Sequence, residues 1–201
     1  MRRTKEDAAE TARQLLQVAH VLFLEKGYDN VNLDDIAAQV GVTRGAVNWH
    51  FRNKQGILLA LREQALVPFK SLVEEIAIFP GVASLERLCD VIARTFQQFQ
   101  DDPRERCLVR CMIRLDLMLA EEMRLAEGGF REQMFDAIAE VFHAVERDVG
   151  LPSPWNAQKA AAALHAVTDG LFVNWALGSQ SFTLSPDGEN FIRELFTIWK
   201  N

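Results

Sequence analysis

Cysteine is scarce in this chain, with three among 201 residues. An odd count that low excludes a disulfide framework and points to a reducing compartment, the cytoplasm. Long hydrophobic runs are missing as well. No stretch of about 18 apolar residues occurs, so no membrane span is expected. The first residues are charged and carry no apolar signal core, so export is not expected. No segment alternates with period two, and no Asn-Gly or Asp-Gly turn lies between strand-like runs, which removes hairpins. There is no glycine-rich phosphate loop and no nucleophile elbow. His20, His50, His143 and His165 are scattered and form no ligand cluster. These absences leave an all-α chain with no cofactor or metal expected and no enzyme's constellation of groups.

About half of the residues are hydrophobic (49%), ample for a packed core. The formal charge of −6 argues at first against a nucleic-acid partner. Its distribution reverses that. Residues 1–55 hold eight basic and seven acidic side chains, a net of +1; the remainder holds fourteen basic and twenty-one acidic, a net of −7. Charge must be judged per domain. Even so, +1 is a weak field, so useful DNA affinity needs two protomers on one site.

Helical periodicity and breakers divide the chain as follows. A first helix runs from Lys5 to about Glu25, with Leu15, Leu16, Ala19, Leu22 and Phe23 on its inner face and Gly27 at its end. Next come two short helices around a glycine turn. Asn32 with Asp35 makes a capping box, Leu33, Ile36, Ala37 and Val40 form one stripe, Gly41 ends the helix, and Thr43 caps the next. The second short helix buries Val47 and Phe51, while Arg44 and Asn48 share another face and point outward. A short helix with a packed inner face and a small polar outer face fits a major groove. Asn53 caps a long helix from Lys54 to about Phe79, bent by Pro68. Further helices are expected over 85–100, 104–119, 130–149, 156–177 and 186–199. Pro80-Gly81, Asp101-Asp102-Pro103, Gly128-Gly129 and the 150–154 linker separate the earlier of these.

The run from Leu15 to Leu58 resembles the TetR family of bacterial transcriptional regulators. The resemblance is carried by Leu22-Phe23-Leu24-Glu25-Lys26-Gly27-Tyr28, Leu33-Asp34-Asp35-Ile36-Ala37, Gly41-Val42-Thr43-Arg44-Gly45-Ala46-Val47, Trp49-His50-Phe51 and Asn53-Lys54. The opening from Arg2 to Ala8, the run from Asp169 to Trp175 and Gln180-Ser181-Phe182 look like the subgroup governing multidrug efflux pumps. The resemblance implies a three-helix helix-turn-helix DNA-binding domain over 1–53. It also implies a helical effector-binding and dimerisation domain over 54–201. The implied function is a repressor released from an efflux operator by a hydrophobic small molecule.

On that basis Thr43, Arg44, Gly45, Asn48, Trp49, His50 and Lys54 are the expected DNA contacts. Arg44 can read guanine edges, and Gly45 allows close approach. Thr43, His50 and Lys54 suit phosphates, with Lys54 at a helix start where backbone N–H groups and its ammonium both face an anion. Trp49 either touches DNA or wedges into the inner packing. Asn48 stands where the family usually has a tyrosine that touches the DNA backbone.

In the body, Phe96, Phe99, Cys111, Met112, Leu115, Phe135, Phe142 and Phe172 are expected to line an adaptable apolar cavity. Asp169, an acid in a largely apolar helix, is its orienting polar group. Arg110, Arg114 and Asp116 are alternatives, with Arg110 better placed in a solvated charge network. Cys107 and Cys111, four apart, read as core cysteines. The last two helices, with Ala157, Ala160, Ala161, Ala163 and Ala166 on one and Phe191, Leu195, Ile198 and Trp199 on the other, are expected to pack half of this surface internally and to offer the other half to a homodimer through a four-helix bundle. The competing readings are an enzyme with a helical pocket, a ligand-binding or interaction module that has lost DNA binding, and a regulator of metabolic genes.

Overall fold

The computed structural model describes residues 5–78, 84–118, 130–178 and 182–200; the side chains of residues 114–118 and 130–131 are not described. The expected positions Gln180 and Ser181, the Pro80-Gly81 and Gly128-Gly129 breaks and the side chains of Arg114, Leu115, Asp116 and Met118 therefore lie outside the described residues. Among the described residues there are helices and no strands.

α1 (Lys5–Lys26) leads through a 3₁₀ turn to α2 (Leu33–Val40) and α3 (Arg44–Phe51). The caps formed as the sequence implied. The Asn32 side chain accepts from the Asp35 N–H while Asp35 accepts from the Asn32 N–H. Gly41 takes the left-handed conformation, φ 75°, that ends α2. Thr43 accepts from the Ala46 N–H, and Asn53 accepts from the Gly56 N–H to open α4 (Lys54–Gln64).

The long helix expected from Lys54 is two helices. α4 stops at Gln64, and α5 (Val67–Ile78) carries Pro68 as its second residue. Pro68 has no N–H for the Gln64 carbonyl, and its ring crowds that same carbonyl, so the helix breaks one turn ahead of the proline. Beyond it lie α6 (Ser84–Asp101), α7 (Pro103–Met118), α8 (Phe130–Asp148), α9 (Ala157–Leu177) and α10 (Glu189–Thr197). α10 is preceded by a kinked turn over Leu184–Gly188, so the last helix is shorter than the sequence implied.

Two hydrophobic cores result. The smaller joins Leu15, Ala19, Leu22 and Phe23 of α1 to Ile36, Ala37 and Val47 of the helix-turn-helix. It also takes Ile57, Leu58 and Leu61 from α4 and Leu108 from α7. The larger holds α5, α6, α8, α9 and α10 together, with Leu88, Ile92, Phe96, Ile138, Phe142, Leu164, Ile192 and Phe196 at its centre. Each large apolar side chain buried there contributes about 1.5–3 kcal/mol. α7 packs on α1 and α4 on one side and on α6 and α9 on the other, so it spans the two cores. No described helix is long and apolar enough to cross a membrane.

Candidate DNA-binding face and ligand-binding body

α3 is held by its inner face. Val47 is fully buried and Phe51 half-buried. Thr43, Arg44, Gly45, Asn48 and Trp49 are all exposed, so five of the expected contacts share one outward surface. Trp49 is 74% exposed, which removes the alternative that it wedges into the packing. His50 is half-buried, with its ring edge-on to Trp49 at 4.6 Å. Gly45 has no conformational need to be glycine, since an added Cβ would sit 3.7 Å from Thr43 Oγ1, an ordinary contact. Its missing side chain leaves a flat outer surface instead.

Arg44 is not idle without DNA. Its guanidinium donates to Asp34 at 3.0 Å, with both side chains 61% exposed. Such a surface pair contributes about 0–1 kcal/mol, so it holds the guanidinium only weakly.

Lys54 points inward. Its Nζ donates to the carbonyls of Tyr28 at 2.6 Å and Val31 at 2.8 Å, with Asp29 O at 3.4 Å, and it lies 4.3 Å from the Tyr28 ring centroid. All three ammonium protons are thereby directed at the turn between α1 and α2.

The joint from α3 to α4 was not legible in the sequence. Arg52 has φ 65° and ψ −49°, and Asn53 N–H donates across it to Phe51 O at 2.7 Å, a tight and rare γ-turn. A Cβ on Gly56 would meet that same Phe51 carbonyl at 2.0 Å. Gly56 is therefore required for α4 to approach the end of α3. The only hint was a glycine in the first turn of an otherwise good helix.

The expected ligand-lining residues separate into groups. Phe96 and Phe99 meet Phe172 edge-on at 5.2 and 5.1 Å, and Phe99 continues to Trp175 at 6.4 Å. Phe135 meets His165 at 6.0 Å, and His165 Nδ1 lies 4.0 Å from Asp169 Oδ2. Asp169 is thus beside an imidazole and about a third exposed, not fully buried. Phe142 sits apart, fully buried against Trp199 at 5.0 Å. Cys111 and Met112 pack against the smaller core. Arg110 is exposed to solvent, with its Nε donating to Ala176 O at 2.5 Å. Arg106 donates to Gly178 O at 3.1 Å and stacks over Trp175. Both arginines thus satisfy carbonyls at the C-terminal end of α9, where positive charge is favoured. Such long-range pairings leave no trace in local sequence.

One cluster at the start of α7 carries shifted ionisations. The Arg104 guanidinium, paired with Asp102, holds that carboxyl below its usual range, while burial pushes Glu105 up to about 7. His20, on α1 beside them, is lowered by burial.

A capped helix-turn-helix on a helical body, with a polar outward recognition helix, defines a DNA-binding regulator. The profile of bacterial regulatory proteins of the tetR family matches residues 15–61. The HTH-type transcriptional repressor BepR of Brucella suis is 32% identical over 195 residues, covering 96% of this chain and 93% of its own. The chain belongs to the TetR family. The HTH-type transcriptional regulator AcrR of Shigella flexneri is 28% identical, over 98% of this chain and 93% of its own. The structure of NalD, the secondary repressor of the MexAB-OprM multidrug efflux pump in Pseudomonas aeruginosa, shares 28% identity. It aligns with a TM-score of 0.71 over 96% of this chain and 98% of its own. A complex of SmeT with triclosan aligns at 0.76 with 25% identity, over 94% and 91%.

Proposed function

We propose that this protein is a cytoplasmic, homodimeric repressor of a multidrug efflux operon, released from a palindromic operator by a hydrophobic small molecule. The observation that carries this reading is the outward surface of Thr43, Arg44, Gly45, Asn48 and Trp49 on a helix whose inner face is locked by Val47. The efflux assignment rests on relatives that bear that role in name, NalD among them. The domain boundary falls at the Asn53 cap, with α4 serving both units.

Two protomers meet through α9 and α10. Ala162, Ala166, Gly170, Val173 and Leu177 recur at helical spacing and are all exposed on α9. Phe191 and Ile198 are exposed on α10, and Trp199 packs internally. Small residues on one helix and bulky ones on the other suit a four-helix interface. The effector enters among Phe96, Phe99 and Phe172, with Asp169 and His165 as polar neighbours. Its binding favours a conformer in which α4 shifts and the two recognition helices no longer match successive major grooves. It can do so only by its difference in affinity between conformers.

The test is a fluorescence-anisotropy titration on the upstream intergenic DNA against a scrambled duplex at two salt concentrations. Selective, salt-weakened binding is expected, and Arg44→Ala should lose the selectivity while remaining dimeric. Equal weak binding to both duplexes would favour a ligand-binding module without DNA function. An Arg44→Ala protein with the wild-type preference would overturn the assignment of Arg44.

A further inference from the structure

The groove between the DNA-binding unit and the body holds a feature that repression by a non-covalent ligand leaves unused. It has about 260 Å³ of open space, bordered by Tyr28 and Asp29 on one side and by Cys107, Arg110 and Cys111 on the other. Cys107 and Cys111 stand four apart on α7, both half-buried, whereas the third cysteine, Cys89, is buried in the larger core. The Cys107 thiol donates to the Phe23 carbonyl of α1 at 3.4 Å, directly across the contact between the two units.

We propose that Cys107 is a covalent sensing site, alkylated in this groove by soft electrophiles of the quinone and enone class, and that the adduct loosens α1 from α7 and weakens DNA binding. The regulatory consequence rests on the repressor reading above; the modification itself does not.

The chemistry is a conjugate addition. The Cys107 sulfur forms a bond to the electrophilic carbon, the carbon–carbon π pair shifts to join the carbonyl carbon, the C=O π pair moves onto the oxygen, and that enolate oxygen takes the proton released by the thiol. No further oxidant or reductant is needed. The surroundings favour the thiolate. The Cys111 thiol hydrogen-bonds to Cys107, and the Arg110 charge adds to this, bringing Cys107 down to about 7. Burial instead pushes Cys89 up, so the core thiol is the inert one. The Phe23 carbonyl accepts only from the protonated thiol. Alkylation therefore removes a donor from the junction and adds bulk where α1 and α7 meet, beside the turn that Lys54 holds.

The full chain, treated with one equivalent of 2-methyl-1,4-benzoquinone at neutral pH, tests this by three readouts. Peptide mapping locates the adduct, hydrogen exchange of residues 23–31 without DNA reports the junction, and operator titration reports affinity. The adduct is expected on Cys107 well before Cys89, with faster exchange and operator affinity lower by about tenfold or more. Cys107→Ser, which keeps a donor for Phe23 O, should bind operator normally and ignore the quinone. Cys111→Ser should still be modified at Cys107, more slowly. An adduct chiefly on Cys89 or Cys111, or a Cys107 adduct with unchanged exchange and affinity, would overturn the proposal. Untreated protein without operator preference would defeat the repressor reading alone, since mapping and exchange decide the modification regardless.

Discussion

Lys54 offers the sharpest contest between what its position implied and what its geometry does. A lysine opening the helix after a recognition helix suits a phosphate contact, yet here its ammonium holds the turn between α1 and α2. Lys54→Met keeps most of the stem and removes every donor. Hydrogen bonds from a charged group contribute about 1.5–3 kcal/mol each. Two of the three are short, the group is half-buried so water recovers part of the loss, and bonds sharing one donor do not add fully. Together with a cation–π contact at a partly exposed ring, the expected loss is about 2–3 kcal/mol. Urea denaturation of the free protein measures it. Operator titration across a salt series, run where the variant is folded, measures the other role. A phosphate contact would contribute about 0.9 to the slope of log affinity against log salt. The expected result is a lower denaturation midpoint, a slope equal to wild type and somewhat weaker binding through the loosened turn. An unchanged midpoint with a shallower slope would refute the tether and return Lys54 to the phosphate backbone.

Gly45→Ala should leave the denaturation midpoint within about 0.5 kcal/mol of wild type, because its Cβ meets only Thr43 Oγ1 at an ordinary distance. Operator affinity should nonetheless fall about tenfold or more, and an unaffected titration would mean that the α3 backbone does not approach the bases. Glu105, raised to about 7 by burial, binds its proton more tightly folded than unfolded. Stability from this group is therefore greatest below the unfolded carboxyl range and falls as pH rises towards 7. Glu105→Gln should raise the denaturation midpoint at pH 8 and hardly at pH 5; equal shifts at both would remove Glu105 as the cause. Ala166→Arg, on the exposed stripe of α9, should give monomers in sedimentation velocity without loss of helical signal, and dimers of unchanged strength would exclude that stripe from the interface.

What was legible in the sequence was what is local. Asn32 with Asp35, Gly41, Thr43 and Asn53 each act within one helical turn, and each formed as its spacing implied. The outward surface of α3 was legible in part, because helical period opposes the buried Val47 to Gly45 and Trp49. Local reading failed where the partner is remote or where two local rules compete. Pro68 on its own implies a bend, but its demand on the Gln64 carbonyl ends α4 outright. Lys54 reaches back 26 residues to Tyr28 O, and Arg110 reaches 66 residues to Ala176 O. No periodicity encodes either contact. The body's aromatic residues were visible as a set, but their division into a Phe96–Phe99–Phe172 group, a separate Phe135–His165 pair and an isolated Phe142 depends on how α6, α8 and α9 cross.

That division gives α7 a role that its sequence did not announce. The Phe96, Phe99 and Phe172 cluster continues through Phe99 to Trp175, and Arg106 of α7 lies over the Trp175 ring while donating to Gly178 O. One helical position on, Cys107 bonds to Phe23 O, and Leu108 is buried in the smaller core. A ligand that turned Phe172 or displaced Trp175 would thus act on a helix whose next residues already belong to the DNA-binding unit. The Cys107 groove lies on that same helix from the opposite side. Contiguity alone is not coupling; it becomes coupling when one element has two arrangements that both sites bias. α7 spans both cores and packs on α4, so it is placed to pass such a change on to α4. α4 packs mainly within the smaller core, whereas α7 is anchored to the end of α9 by two arginines and to α1 by a weak thiol bond.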